Sequence, residues 1–134
     1  MLKFGYKKEL DRNGISVWRP IADIWFPTST NDWIELHPYI DSGADITLVP
    51  YSFGKLLGFK KIFAPRERIG GIGGHISVIP VKSKIKIGGQ ILNATVGWAQ
   101  SEDVPALLGR QEIFDSFEII FRQKQKEIIF KELA

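Results

Sequence analysis

The chain contains no cysteine, one methionine and two histidines, His37 and His75, in 134 residues. Disulfides and thiol chemistry are therefore excluded, and a Cys/His zinc site lacks the ligands to close. No apolar run reaches the roughly 18 residues that a membrane helix needs. The N-terminus has no basic-then-apolar leader pattern. The expectation is a cytoplasmic protein with no membrane partner and no cofactor. Excess charge is also scarce. The formal net charge is +3, and basic residues such as Lys7, Lys8, Lys60, Lys61, Lys82, Lys84, Lys86, Lys124 and Lys126 are spread among acids. Such a distribution reads as a solvated face; a nucleic-acid groove needs clustered cations with surface aromatics, so no nucleic-acid partner is expected.

Hydrophobic residues make up 44% and charged residues 25%, a balance that folds. The length indicates one domain, residues 1–134, with a core over 31–121, N-terminal strands in 1–30 and a C-terminal strand pair in 117–130. Period-two alternation and frequent turn signals make the chain mostly β. Phe4 to Leu10 and Ile15 to Phe26 read as strands around Asp11-Arg12-Asn13-Gly14, with Pro20 forcing an edge or bulge. Trp33 to Ile40 reads as a third strand. Pro50 to Gly58 reads as a short helix despite Gly54, and Arg110 to Ser116 as a second. Arg66 to Gly70 and His75 to Val81 form the arms of one hairpin. Lys82 to Ile87 and Gln90 to Ala99 form another across Gly88-Gly89. Phe117 to Phe121 and Glu127 to Phe130 close the chain as strands. Trp18, Trp25, Trp33 and Trp98 are assigned to the core.

Chemistry concentrates in three places. Asp41-Ser42-Gly43-Ala44 follows the apolar Tyr39-Ile40, so a carboxylate and a glycine stand together at a strand end. Such a triplet is also an ordinary turn, but Gly43 permits a sharp bend and a close approach by a second chain. Ile69-Gly70-Gly71-Ile72-Gly73-Gly74 is too glycine-rich for a stable strand interior and reads as a hairpin tip. It fails as a phosphate cradle, because no Lys-Ser/Thr follows. Leu107-Leu108-Gly109-Arg110 is a second apolar-apolar-Gly element. Two carboxylates that share one proton can serve together as acid and base on a water. The chain offers one such carboxylate, since Asp115-Ser116-Phe117 lacks the glycine. A two-fold contact between copies would supply the second. His75 reads as an exposed arm residue.

Residues 34–121 resemble the retropepsin family of aspartic proteases. Asp41-Ser42-Gly43-Ala44 matches the family's catalytic motif at every position, and the glycine-rich segment matches the flap tip of retroviral proteases residue for residue. The resemblance implies a retropepsin-like closed β-barrel, one lobe per chain with one or two short helices, acting as a homodimeric endopeptidase on peptide or protein substrates. It implies catalysis by Asp41, with Ser42 bonding across the dimer axis and Gly43 and Asp45 meeting substrate backbone. Ala44, Ile46, Leu48, Pro105 and Leu107 would contact substrate, and Gly70, Gly71 and Ile72 would close over it. Gly109 and Arg110 would support the loop, Arg110 by a bidentate ion pair with Asp45. The chain departs from the retroviral pattern at both ends, which leaves the mode of dimer closure open. The alternative reading is a module of this fold that binds peptide or protein without cleaving it.

Overall fold

The computed structural model describes residues 1–61, 66–71 and 74–133. Strand β1 (Leu2–Leu10) turns its apolar residues Leu2, Phe4 and Tyr6 toward the interior and its lysines Lys3 and Lys7 outward, as the period of two requires. The following turn is closed by Asp11 Oδ1, which accepts the N–H groups of Asn13 (2.8 Å) and Ile15 (2.9 Å), with Gly14 at φ +76. The long strands expected beyond it are each cut at a proline. Ile15 to Phe26 becomes β2 (Ser16–Pro20) and β3 (Ile24–Pro27), and between them Ile21 makes an isolated bridge to Tyr39. Trp33 to Ile40 becomes β4 (Trp33–Leu36) and β5 (Tyr39–Ile40) around Pro38. Proline has no N–H to continue a ladder, so each break releases the chain toward another partner.

The remaining elements are β6 (Thr47–Val49), α1 (Tyr51–Leu57), β7 (Glu67–Gly71), β8 (Gly74–Ile87), β9 (Gln90–Ala99), β10 (Leu107–Leu108), α2 (Ile113–Ser116), β11 (Phe117–Arg122) and β12 (Glu127–Glu132). The two expected hairpins share one arm, because β8 runs unbroken for 14 residues and pairs with β7 at one end and β9 along the rest. Gly70, Gly71 and Gly74 sit inside the β7–β8 ladder, with Gly70 opposite His75 and Gly71 opposite Gly74. Gly70 lies in the arm as expected, and Gly71 and Gly74, expected in the tip, extend the ladder by one further pair. Helix α2 is shorter than Arg110 to Ser116: Glu112 has φ +65, and the amides of Arg110 and Gln111 bond elsewhere.

Two sheets result. The smaller has the order β11-β12-β1-β2 and is antiparallel throughout. The larger has the order β4-β3-β8-β9-β6-β10-β5, with β7 attached to β8. A single apolar cluster joins them, with Ile24, Phe26, Val49, Ile85, Val96 and Trp98 from the larger sheet and Phe117, Ile128 and Phe130 from the smaller. Segment 1–30 is therefore divided between the sheets, and Ile24 and Phe26 are fully buried core. Of the tryptophans only Trp98 is core. Trp18 is exposed, while Trp25 and Trp33 are half-buried and flank Lys86 Nζ, which lies 4.4 Å from the Trp33 ring centre. Among the described residues no helix is long and apolar enough to cross a membrane.

Trp98 also explains the glycine within α1. Its indole Nε1 donates to the Tyr51 carbonyl at 3.0 Å, its ring stacks on Tyr51, and a Cβ built at Gly54 would stand 2.2 Å from that nitrogen. Gly54→Ala gains about 1 kcal/mol in helix propensity but forces a fully buried ring to move, which costs about 1–3 kcal/mol. The packing cost wins: thermal unfolding is expected to shift downward, and an unchanged or raised Tm would show that α1 is free to lift from Trp98.

Candidate active site

Asp41 follows β5, the last strand in the order of the larger sheet. Strand β10 lies between β5 and β6, running parallel to the first and antiparallel to the second, so the loop 41–46 has to pass across the end of β10. The backbone following β10 satisfies that loop. Asp41 N–H donates to the Leu108 carbonyl (3.0 Å), while the amides of Arg110 and Gln111 donate to the carbonyls of Ala44 and Asp45 (2.9 Å each). Gly109 N–H donates to Thr47 Oγ1 at 3.1 Å, and Thr47 is 1% exposed. Every amide from 109 to 111 is thereby committed to the loop that carries Asp41.

Gly109 is required by contact. A Cβ at this position would lie 2.3 Å from the carbonyl carbon and oxygen of Ile46, both backbone atoms. Thr47 is a residue the motif comparison passed over. Its signal in the sequence is a hydroxyl within the otherwise apolar run Ile46 to Val49, since a polar side chain in a buried strand needs a specific partner.

At the loop itself Asp41 Oδ1 accepts the Gly43 N–H at 2.9 Å, and a Cβ on Gly43 would come within 3.2 Å of that oxygen. Ser42 and Gly43 are exposed, Ala44 and Asp41 half-buried. Arg110 spans the outside of the loop: Nη2 bonds Asp45 Oδ1, and Nη1 donates to the Ser42 carbonyl at 3.1 Å. The expected bidentate pair is thus a fork with one tine on a carboxylate and one on the backbone. Side-chain exposures of 50% for Arg110 and 77% for Asp45 put the pair in water.

Asp41 opens onto a cleft of about 900 Å³, within the size range of small-molecule and peptide sites. Pro105 and Leu107 line it together with Ile40 and Tyr39. Glu9, Arg12 and Arg19, from the β1–β2 hairpin, form the other side; no motif singled them out, because their proximity depends on the folding of residues 30 positions apart. Ile46 and Leu48 are not part of this wall. Leu48 is buried with Val78 and Ala99 in a second cluster, to which Ile69 and Ile76 of the β7–β8 hairpin and Leu107 are packed. The glycine-rich hairpin therefore rises from the same cluster that backs the cleft. Ile72, expected at its tip, lies outside the described residues, as does Gly73.

One ligand-capable group was not foreseen. Asp23, Glu35 and His37 bring ligand atoms within 4.8 Å of one another on the exposed surface. His37 Nδ1 is 2.7 Å from Asp23 Oδ1 and Nε2 is 3.6 Å from Glu35 Oε1, so the imidazole already bridges both carboxylates.

No family model and no curated protein matches the sequence. Solved structures do. A retropepsin-like aspartic protease from Rickettsia conorii superposes with a TM-score of 0.65 at 13% identity, covering 96% of this chain and 98% of that one. The EIAV protease in complex with the inhibitor HBY-793 superposes with a TM-score of 0.57 at 21% identity, covering 72% of this chain and 86% of that one. The chain has the retropepsin-like fold.

Two substitutions probe the loop support. Thr47→Val keeps the shape but strands a buried N–H, so a loss of about 1–3 kcal/mol is expected in denaturant unfolding, and a stability equal to wild type would show that Gly109 N–H has another acceptor. Arg110→Ala breaks a solvated pair and should cost at most about 1 kcal/mol. A larger loss would mean that the fork is buried in an assembly.

Proposed function

We propose that the chain is an aspartic endopeptidase that acts as a homodimer, each copy supplying one Asp41. The observation that carries this reading is the Asp41-Ser42-Gly43-Ala44 loop, fastened to residues 108–111 and open to a cleft, in a chain of retropepsin-like fold. One carboxylate cannot act as acid and base together, and two-fold association supplies the second without any further sequence.

The chemistry follows from the pair. Two carboxyls too close to ionise together hold one proton between them. The ionised member takes a proton from water as the water oxygen attacks the peptide carbonyl carbon, and the protonated member donates to the carbonyl oxygen. In the collapse of the resulting diol the nitrogen gains a proton, the C–N bond breaks, and the shared proton is restored. In this reading Ser42 bonds across the two-fold axis, and Gly43, Ala44 and Asp45 meet the substrate backbone. Pro105 and Leu107, which line the cleft, favour apolar side chains, while Gly70, Gly71 and Ile72 belong to a flap that adds strand-like bonds to an extended peptide. Gly109 and Arg110 support the loop. The substrate is a peptide or protein, no cofactor takes part, and we place the enzyme in the cytoplasm.

Asp41→Asn keeps the shape of the side chain and removes its ionisation, so cleavage of an unbiased peptide library should fall to background with melting unchanged. Residual turnover in a clean preparation would remove Asp41 from the mechanism. Dimer dependence has its own readout. Specific activity should rise with concentration through the dimer dissociation range seen by sedimentation, and excess Asp41→Asn chains should suppress wild type where subunits exchange. A fully active monomer is the contrary result.

A further inference from the structure

Three side chains from three strands meet at the wall of the cleft beside Asp41. The Tyr39 hydroxyl lies 2.7 Å from each carboxylate oxygen of Glu9, Arg19 Nε is 3.2 Å from Glu9 Oε1, and the Arg19 guanidinium lies over the Tyr39 ring at 5.8 Å from its centre. Tyr39 is the second residue before Asp41, and all three line the cleft. Glu9 is the hub, since it takes a hydrogen bond from one member and a charge from the other. It stands in β1 next to the turn, where the register holds it opposite Val17 and leaves its side chain to reach Tyr39. Hydrogen bonding to Glu9, burial and the Glu9 charge, in that order, raise the Tyr39 phenol above its ordinary 10.0, with Arg19 opposing. These contacts direct the phenol toward Glu9 at the side of the cleft.

We propose that Glu9 is a positioning residue for substrate selection: it locks Tyr39 and Arg19 into a rigid wall that limits the size of the substrate side chain accepted beside Asp41. The inference rests on the peptide-cleaving reading of the site. The floor that this wall bounds is apolar, built from Ile40, Pro105 and Leu107, so the class selected is a medium-sized aliphatic side chain. Apart from Asp41 itself, the charges lining the cleft, Glu9 and Asp11 against Arg12 and Arg19, cancel, which disfavours selection by charge. Hydrophobic pockets discriminate by about 10-fold or more for each methylene they exclude, so a loosened wall should be visible in a preference profile.

The test is a side-chain preference profile for full-length wild type, Glu9→Ala, Glu9→Gln and Tyr39→Phe, read as relative kcat/KM over a peptide library and, in the Asp41→Asn background, as relative binding affinity. Glu9→Ala and Tyr39→Phe should lose about 10-fold discrimination against bulky side chains, with KM moving more than kcat and with sedimentation and melting near wild type. Glu9→Gln keeps an acceptor for the phenol and should restore most of the preference. The Tyr39 phenol, followed by NMR titration, should fall back toward 10.0 in Glu9→Ala. Variant profiles that superpose on wild type would overturn the wall alone. A wild type that binds peptides but never cleaves them would overturn the protease reading while the binding profile still decides the wall, and one that neither binds nor cleaves would overturn both.

Discussion

The close approach of Gly109 to the Ile46 carbonyl is the constraint on which the rest of the candidate site depends. It lets the backbone after β10 lie against the loop that crosses it, and only at that separation do the amides 109–111 reach Thr47, Ala44 and Asp45. The loop has no regular structure of its own between β5 and β6. Its shape is imposed by a neighbouring strand end, which is how a reactive side chain can stand on irregular backbone and still be held in place.

Around this point the two sheets divide the work. The larger supplies β5, β6 and β10 as a frame, and the small second cluster beneath the β7–β8 hairpin ties that hairpin to Leu107 and Leu48. The smaller sheet grips β1 over its first half through β12 and turns the second half toward β2, so the hairpin projects to the cleft from a secured base. Aromatic contacts between Phe4, Phe117 and Phe130 fasten that base to the main core. The cleft wall is thus anchored in a part of the chain far from Asp41 in sequence.

How much of this was legible depended on whether the cause was local. The turn at Asp11 to Gly14 and helix α1 with Gly58 at its end carry short-range signals and stand where those signals place them, while Asp41, Gly109 and Arg110 are brought to one loop. Pro20 carries a breaker signal, but Trp33 to Ile40 reads as one strand across Pro38, and where the released strands go is a question of sheet topology. The shared strand β8 is hidden for a related reason: nothing between Val81 and Lys82 marks continuity, although the ladder runs through Pro80 opposite Gly97 and on to Ile87. Glu9 and Arg19 are ordinary strand charges until β1, β2 and β5 are brought together. Trp25 and Trp33 looked like core because nothing in the sequence reveals that Lys86 covers their faces.

The bond from Gly109 to Thr47 joins residues 62 positions apart, and β1 is completed only by β12, with Leu2 opposite Phe130. Closures of that span are entropically late, so local hairpins form first and the crossing at β10 afterwards. During synthesis, Asp41 leaves the ribosome well before the segment that organises its loop. A nascent chain therefore holds Asp41 on an unfastened loop until residues 108–111 have been made, and its outer sheet stays open until the last strand.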